Sequence, residues 1–403
     1  MTQPRTPLPP GGSSVAGAGG ARVEKVNVML AMDRLGYDEL HFHGAGRLMM
    51  EWTRALVESG VDVVTVILRH PGELGRRVLA EGLPFLFLGR RRYDPRTLVD
   101  MLRIMRRYRV QVVHLQGFGS SAFGRIAARV LGIPSIVHVH ADHRFESLGY
   151  PWFVRWMDRL LAPGTSQVLA VSDFARDFAI GQQGFPAERV EVLYNPVDLR
   201  HFRPASPAER EASRQALGLE PNDRVAVCVT RFHPVKGIDV LVEAWAEIGA
   251  RFPDARLLLV GEGPLRSELE DQVARTCRLG SVRFIGYRDD VREVLAAADL
   301  AVMPSRAEGF SVAALEILGS GLPLVATRVG GNPRLVADGV NGLLVEADDP
   351  AGLARALGRL LEDERLLERL ADGARESVLP YDLGPFAGRL RERYEALSRG
   401  EIT

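Results

Sequence analysis

The sequence predicts an α/β protein built from two doubly wound parallel sheets, one in each half of the chain. Short apolar, β-rich runs alternate with helical patterns from Arg22 onward, and the alternation begins again after Pro204. Such alternation is typical of parallel sheets that are covered by helices on both faces. Because ligands bind at the carboxyl ends of strands in open sheets, we expect the site in a cleft between two facing sheets.

In the N-terminal half, continuous apolar runs predict strands, and apolar residues repeating every three or four positions predict helices. The strands are expected at residues 26–32, 61–68, 110–116, 135–140 and 166–172. The helices are expected at residues 46–60, 96–109 and 120–132, and the first of them ends on a glycine.

The same criteria apply to the C-terminal half. Strands are expected at residues 224–230, 255–261, 282–286, 300–304, 323–327 and 342–345. Helices are expected at residues 238–252, 265–277, 291–298 and 311–321, followed by a long helix from Pro350 and a last one at 382–397.

These patterns divide the chain into four segments. Residues 1–21, rich in Pro, Gly and Ser, are expected to form a disordered tail. Residues 22–200 and 201–380 are expected to form two Rossmann-like domains, with the hinge in VEVLYNPVDLRHFRPASP. The helix in residues 381–403 is expected to pack back toward the N-terminal domain.

Composition limits the class of protein. Lys and Arg together number 51, as do Asp and Glu, so the zero net charge argues against a global nucleic-acid binder. The two cysteines, Cys228 and Cys277, lie in strand-like and helix-like runs and predict a reducing, cytoplasmic location without disulfides. We find neither the apolar core of a signal peptide nor the run of about twenty apolar residues of a membrane span.

The hexapeptide HVHADH resembles a cluster of metal ligands. Its potential ligands are His138, His140, Asp142 and His143. A two-zinc hydrolase needs further ligands in a Gly-His-Ser/Thr context, and His201 and His233 do not lie in one. In a strand, His138 and His140 point to the same side. His140, at the carboxyl end, could bind a ligand hydroxyl or could be a histidine satisfied by the backbone.

The segment RFHPVKG follows a predicted strand and precedes a helix. Arg231 and Lys236 could there neutralise a diphosphate without a metal, although two solvated charges on an exposed loop would look the same. Farther along, Glu308 lies in a loop and Glu316 in the next helix, among Ala, Leu and Ile. An unpaired carboxylate is costly in such surroundings, so Glu316 is expected to bind vicinal hydroxyls, such as those of a ribose.

From Val23 onward the chain resembles the retaining glycosyltransferase family 4, which has the GT-B fold. The resemblance rests on RFHPVKG, on the two glutamates eight positions apart, and on segments such as LLLVGEGPLRSELE and GGNPRLVADGVNGLLV. It implies an enzyme that transfers a sugar from a nucleotide diphosphate, UDP before GDP, to an acceptor hydroxyl. It also implies that the N-terminal domain binds the acceptor and the C-terminal domain the nucleotide.

By this resemblance, each site residue has an expected role. Arg231 and Lys236 hold the diphosphate, Glu316 holds the ribose, and Gly286, Tyr287 and Arg288 border the base. Glu308 and the backbone of Gly309, Phe310 and Ser311 contact the donor sugar, as does His140. The family's glycine-rich first loop is replaced by ELHFHGAGR, where Gly44 or Gly46 could approach a phosphate.

The resemblance favours front-face retention, in which a leaving-group oxygen takes the acceptor's proton. No Asp-x-Asp motif is present, so no metal or other cofactor is expected. The alternatives are a non-catalytic nucleotide-sugar-binding protein of the same fold, an epimerase of related two-domain fold that acts on a nucleotide sugar, and a zinc hydrolase that uses HVHADH.

The region from Arg90 to Arg109 is rich in arginine. Its helix carries an apolar stripe of Leu98, Met101, Leu102 and Met105, with arginines beside it. The stripe could pack into the core while the arginines are solvated, or the region could contact an anionic membrane on its cytoplasmic side.

Overall fold

The structure is a computed structural model and describes residues 25–36, 38–140 and 152–401. The chain divides into two compact units. The N-terminal unit holds the described residues up to His140, residues 152–193 and the last helix from Gly384, and the C-terminal unit holds residues 194–383. The division between Leu193 and Tyr194 falls within the predicted hinge segment. The expected tail, residues 1–21, lies outside the described residues.

The N-terminal unit is built on a seven-stranded parallel sheet of order β3-β2-β1-β4-β5-β6-β7. Its strands are β1 (Asn27–Met32), β2 (Asp62–Ile67), β3 (Phe85–Phe87), β4 (Val112–Gln116), β5 (Ser135–Val139), β6 (Gln167–Ala170) and β7 (Val190–Val192). The edge strands β3 and β7 were not predicted, because three residues are too few to show a period.

The helices of this unit connect successive strands, and the last returns from the C-terminus. They are α1 (Gly44–Glu58), α2 (Gly72–Ala80), α3 (Arg96–Arg107), α4 (Phe118–Leu131), α5 (Trp152–Leu161), α6 (Asp173–Gly181) and α15 (Leu383–Ser398). Helices α2, α5 and α6 were absent from the predicted elements.

The two faces of the N-terminal sheet differ in chemistry. One face packs Met29, Val113 and Leu115 against α3 and α4 in an apolar core. On the opposite face, Leu30 lies in register with Thr65 on one side and His114 on the other. Thr65 shares a hydrogen bond of 2.8 Å with Thr53 of α1. This second face therefore buries polar groups in partnership with the helices that cover it.

The C-terminal unit is built on a six-stranded parallel sheet of order β10-β9-β8-β11-β12-β13. Its strands are β8 (Arg224–Val229), β9 (Ala255–Val260), β10 (Val282–Gly286), β11 (Leu300–Met303), β12 (Leu324–Thr327) and β13 (Gly342–Val345). The prediction of two doubly wound parallel sheets is thus confirmed.

Helices on both faces complete the C-terminal unit. They are α7 (Pro207–Ala216), α8 (Ile238–Arg251), α9 (Arg266–Thr276), α10 (Arg292–Ala297), α11 (Val312–Gly319), α12 (Asn332–Leu335), α13 (Pro350–Glu362) and α14 (Glu364–Ser377). Trp245 of α8 and Leu357 of α13 pack into the main core. The predicted long helix from Pro350 is wrong, because it is interrupted at Asp363. That residue has a non-helical backbone, and its carboxylate accepts a hydrogen bond from the Leu366 amide at 3.0 Å.

A buried ion pair joins α4 to α5. The Arg125 guanidinium donates to the Asp158 carboxylate, and both side chains are almost fully buried. Arg125 also donates to the Ser121 carbonyl at 3.1 Å, and its guanidinium lies 5.5 Å from the centre of the Phe185 ring. The pair fixes which face of α5 points into the protein.

Replacing Asp158→Ala should destabilise the protein by about 3–5 kcal/mol, because it leaves a buried guanidinium without its counter-charge. Asp173→Ala is the control, since Asp173 and its partner Arg176 are exposed and such pairs contribute at most about 1 kcal/mol. Urea unfolding of both variants would measure the difference. Equal losses would contradict the structural role given to the buried pair.

Candidate functional site

The loops after the C-terminal strands meet at the carboxyl edge of the sheet. A series of backbone hydrogen bonds connects them. Gly261 donates to the Gly286 carbonyl at 2.9 Å, and Phe232 donates to the Glu262 carbonyl at 2.9 Å. Farther along the edge, Arg306 donates to the Val235 carbonyl at 2.8 Å. The sequence-predicted residues on these loops are therefore parts of one continuous surface.

The loop between β8 and α8 presents the two predicted cations. Arg231 lies shortly after β8, and Lys236 ends a 3-10 turn. Gly237, which follows, has a φ of 62°, and an added Cβ would lie 2.1 Å from the Pro304 carbonyl oxygen. The loop is therefore held against the segment that leads to Glu308, and only glycine fits at this contact.

Lys236 and Glu308 form the central pair of the site. The Lys236 ammonium lies 2.6 Å from Glu308 Oε1, and the Ser305 hydroxyl donates to the same oxygen at 2.6 Å. Glu308 is buried, and Lys236 is about one-fifth exposed at its side chain. The family resemblance implied separate roles for these residues, with the lysine on phosphate and the glutamate on sugar. Their ion pair means that a diphosphate on Lys236 would directly affect the Glu308 carboxylate.

Lysine is rare in this chain, which contains only Lys25 and Lys236. Arginine supplies the other basic side chains. An ammonium is a compact point charge, whereas a guanidinium is a planar fork that matches two oxygens at once. The presence of lysine at position 236 is therefore consistent with a site that requires a point charge.

Two glycines that the sequence reasoning did not select hold Glu308 in place. Gly330 has a φ of 52°, and a Cβ there would lie 1.8 Å from the Glu308 carbonyl oxygen. Gly331 donates to the Gly309 carbonyl at 2.9 Å. The available signal was a Gly-Gly pair shortly after the predicted strand at 323–327.

The segment from Gly309 to Ser311 leads into α11. The Phe310 side chain packs between the rings of Tyr194 and Tyr381, with ring centres 4.7 and 5.4 Å away. The Ser311 hydroxyl caps the helix by accepting from the Ala314 amide at 3.3 Å. Both side chains are thus occupied structurally, which leaves backbone groups for a ligand. Glu316, on the next turn, is buried as expected.

At the β10 end of the edge, Gly286 has a φ of 79° and lies beside Glu262. The Tyr287 hydroxyl donates to Asp289 at 2.9 Å, and Arg288 pairs with Glu293 at 3.3 Å. Glu262, in the GEGP segment after the predicted strand 255–261, was not among the predicted site residues. The turn that was expected to border a base is therefore held by its own ion pair and hydrogen bond.

Burial raises the pKa of the Cys228 thiol, at the end of β8, to about 12. The thiol is therefore neutral at physiological pH and unsuited to act as a nucleophile.

The remaining predicted residues belong to the N-terminal unit. A Cβ at Gly46 would lie 1.8 Å from the Leu35 carbonyl oxygen, whereas a Cβ at Gly44 would meet no atom within 4 Å. Gly46 therefore serves backbone packing, and Gly44 is the glycine with open space. His43 caps α1 by accepting from the Gly46 amide at 2.8 Å.

A row of histidines begins at buried His114, continues through buried His138 and ends at half-buried His140. His114 Nδ1 lies 2.6 Å from the Tyr394 hydroxyl, and His114 Nε2 lies 3.1 Å from His138 Nδ1. The rings of His138 and His140 stack 4.8 Å apart, and Trp52 packs against all three histidines. Burial lowers the pKa of His140 and His43 to about 4 and that of His114 to about 3, so the imidazoles are neutral at pH 7.

The zinc alternative falls partly outside the described residues. His138 lies inside the histidine row, and Asp142 and His143 lie outside the described residues. Within the described part of the chain, no group of three or more His, Cys, Asp or Glu side chains is placed to hold a metal ion.

Comparison with known proteins gives a consistent result. Residues 42–201 match the glycosyltransferase family 4 domain, and residues 223–363 match the glycosyl transferases group 1 domain. A D-inositol 3-phosphate glycosyltransferase of Thermobispora bispora is 30% identical over 88% of this chain and 90% of its own. The chain belongs to glycosyltransferase family 4.

Two further relatives place the fold and the family in context. The UDP-Gal:alpha-D-GlcNAc-diphosphoundecaprenol alpha-1,3-galactosyltransferase of Escherichia coli is 27% identical over 71% of this chain and 75% of its own. The Anabaena protein Alr3699/HepE, solved with UDP and glucose, superposes with a TM-score of 0.79 at 21% identity, covering 92% of this chain and 100% of that one. The structural likeness confirms the predicted GT-B fold, and the family assignment identifies a glycosyltransferase that uses a nucleotide sugar.

The histidine row makes the stability of this family member depend on pH. Unfolded histidines take up a proton near pH 6.5, whereas folded His140 does so only near pH 4. The contribution of the neutral histidines to the free energy of unfolding should therefore have its full value above about pH 6.5. It should fall as the pH decreases toward 4, by about 1.4 kcal/mol per pH unit for each such histidine. His140→Gln should lose less stability than the native protein between about pH 7 and pH 5. Parallel pH profiles of the two proteins in thermal unfolding would contradict this interpretation.

Proposed function

We propose that the protein is a metal-independent, retaining glycosyltransferase that moves a sugar from UDP to an acceptor hydroxyl. The observation that carries this proposal is the Lys236–Glu308 pair, with Arg231 on the same loop as the lysine. GDP is the second candidate nucleotide. The product would be a glycan, a glycolipid or a glycoside.

The donor's diphosphate is proposed to bind at Arg231 and Lys236. Two cationic side chains at the carboxyl edge can balance the charge that develops on a leaving diphosphate. Metal independence is proposed because the chain itself supplies these cations and has no Asp-x-Asp motif. Glu308 holds the Lys236 ammonium in position before the phosphate binds. Less conformational entropy is therefore lost when the phosphate binds.

The sugar and nucleoside are proposed to bind on either side of the diphosphate. Glu308 and the backbone of Gly309 would contact the donor sugar, and buried Glu316 would accept hydrogen bonds from the ribose hydroxyls. The turn Gly286–Arg288 would border the base. His140 is proposed to contact the donor sugar as a neutral imidazole, in agreement with its lowered pKa.

Retention is proposed to follow a front-face path. The acceptor oxygen bonds to the anomeric carbon as the bond to the UDP oxygen breaks, and the acceptor proton passes to a phosphate oxygen of the departing UDP. Arg231 and Lys236 stabilise the leaving group, so the protein acts through position and charge. Double inversion would instead need a nucleophile directly below the anomeric carbon.

UDP is preferred as the donor nucleotide for two reasons. The E. coli relative is named for UDP-Gal, and the Anabaena protein was solved with UDP. Neither name fixes the sugar for this chain. A thermal-shift series with UDP, GDP and ADP, with and without EDTA, would test both the base and the independence from metal.

Lys236→Ala and Arg231→Ala should each lower kcat/KM by about 10²- to 10³-fold, because each removes a fixed charge from the leaving diphosphate. The matched control is Lys25→Ala, which removes the other, exposed lysine and should leave kcat/KM unchanged. Steady-state kinetics with UDP-sugars should be accompanied by thermal unfolding, since Lys236→Ala also leaves Glu308 without its ion pair. Near-native kcat/KM in a folded Lys236→Ala protein would overturn the proposed diphosphate site.

A further inference from the structure

Helix α5 exposes a stripe of large apolar side chains. Trp152 is 76% exposed, Trp156 is 61% exposed and Leu160 is 58% exposed. Positions four residues apart lie on one face of a helix, so these three side chains form one line. Phe153, 39% exposed, lies beside that line. We call Trp152, Phe153, Trp156 and Leu160 the aromatic stripe.

The opposite face of α5 prevents the helix from turning this stripe inward. Val154 and Asp158 are buried, and Asp158 forms the ion pair with Arg125 inside the unit. Rotating α5 to bury the tryptophans would move this carboxylate toward solvent and leave Arg125 buried without its partner. The apolar surface is therefore a fixed feature of the fold.

The stripe continues onto the loop before α3. The Tyr93 ring packs edge-on against Phe153, with ring centres 6.1 Å apart, and against Phe118 at 5.9 Å. Tyr93 is 43% exposed and has a φ of 65°, a backbone conformation that aromatic residues rarely adopt. The loop thus keeps a fifth large side chain, the ring of Tyr93, beside the four of the stripe.

Arginines lie on both sides of this apolar surface. Arg155 and Arg159 are the polar neighbours on α5, displaced toward the side away from Phe153. On the other side, Arg91 and Arg92 are exposed, and the Arg92 guanidinium lies 5.0 Å from the centre of the Tyr93 ring. The acidic residue of α5, Asp158, is paired with Arg125, and the acidic residue beside Tyr93, Asp94, is paired with Arg96.

We propose that this surface docks on a lipid bilayer that contains anionic headgroups. Tryptophan and tyrosine favour the boundary between headgroups and acyl chains, and flanking arginines bind lipid phosphates. A second copy of the chain fits less well, because a two-fold contact through the stripe would bring the arginines of both copies together. The occupant must therefore be apolar at its centre and negatively charged at its rim, which describes an anionic membrane.

This surface differs from the one that the arginine-rich sequence predicted. In α3, Met101 and Met105 are buried, and Leu98 and Leu102 pack against the same core. The apolar stripe of α3 is thus unavailable to lipid, and Arg90 is paired with Asp100 at 2.6 Å. In the described ranges, no helix is long and apolar enough to cross a bilayer. The proposed contact is one in which α5 lies on the membrane surface.

The test is cosedimentation of the full chain with vesicles of phosphatidylcholine alone or mixed with phosphatidylglycerol. The native protein should bind the anionic vesicles, and added salt should weaken binding. The double variant Trp156→Ser/Leu160→Ser should bind at least about tenfold more weakly, because two side chains no longer enter the apolar layer. Leu279→Ser is the matched control, since Leu279 is a 95% exposed leucine of the C-terminal unit.

Tryptophan fluorescence identifies the contact. Two of the four tryptophans, Trp52 and Trp245, are fully buried, so brominated lipids should quench only Trp152 and Trp156. Absence of quenching, or equal vesicle binding by the double variant, would overturn the proposal. Lipid-independent self-association that the double variant abolishes would also overturn it, in favour of a second copy. Stabilisation by UDP should be the same in all variants, which separates this test from that of the proposed function.

Discussion

The candidate donor site depends on an ammonium and a carboxylate held 2.6 Å apart at the edge of a parallel sheet. Because Glu308 is buried, its negative charge would be costly without Lys236 and the Ser305 hydroxyl. Glycines at positions 237 and 330 allow the two loops to approach closely enough for this contact. The close packing of these loop backbones therefore positions the charged side chains for a diphosphate.

The N-terminal unit buries polar groups that are uncharged. Its sheet buries His114 and His138. The hydrogen bonds of His114 to Tyr394 and to His138, together with ring contacts to Trp52, replace part of the solvation that these two imidazoles lose. Because Tyr394 belongs to the last helix, α15, the C-terminal end of the chain completes the histidine row of this unit. His140 thereby becomes a neutral imidazole at physiological pH, which can donate and accept hydrogen bonds but carries no charge.

Much of the fold could be predicted, because continuous apolar strands and periodic helices show their type over many residues. The edges of the sheets and the ends of the helices were harder to predict. Three-residue edge strands show no period. Asp363 separates two helices by capping the second one, but in the sequence it resembles an ordinary surface residue. The motifs were sufficient to identify which residues belong to the site. The ion pair between Lys236 and Glu308 could not be predicted, because these residues are 72 positions apart and meet only through tertiary packing. The outward direction of Trp152 and Trp156 was likewise unpredictable, since a buried stripe has the same spacing.

The proposed binding of the donor diphosphate to Lys236 can be measured directly. Reductive methylation with ¹³C-formaldehyde would label the ammonium groups of Lys25 and Lys236, the only two lysines, together with the terminal amine. Dimethyl-lysine keeps its positive charge, so the site can be observed in NMR spectra during titration with UDP. If Lys236 binds the diphosphate, the Lys236 signal shifts as UDP binds while the Lys25 signal stays in place. Binding of UDP, detected by calorimetry, with an unchanged Lys236 signal would contradict it.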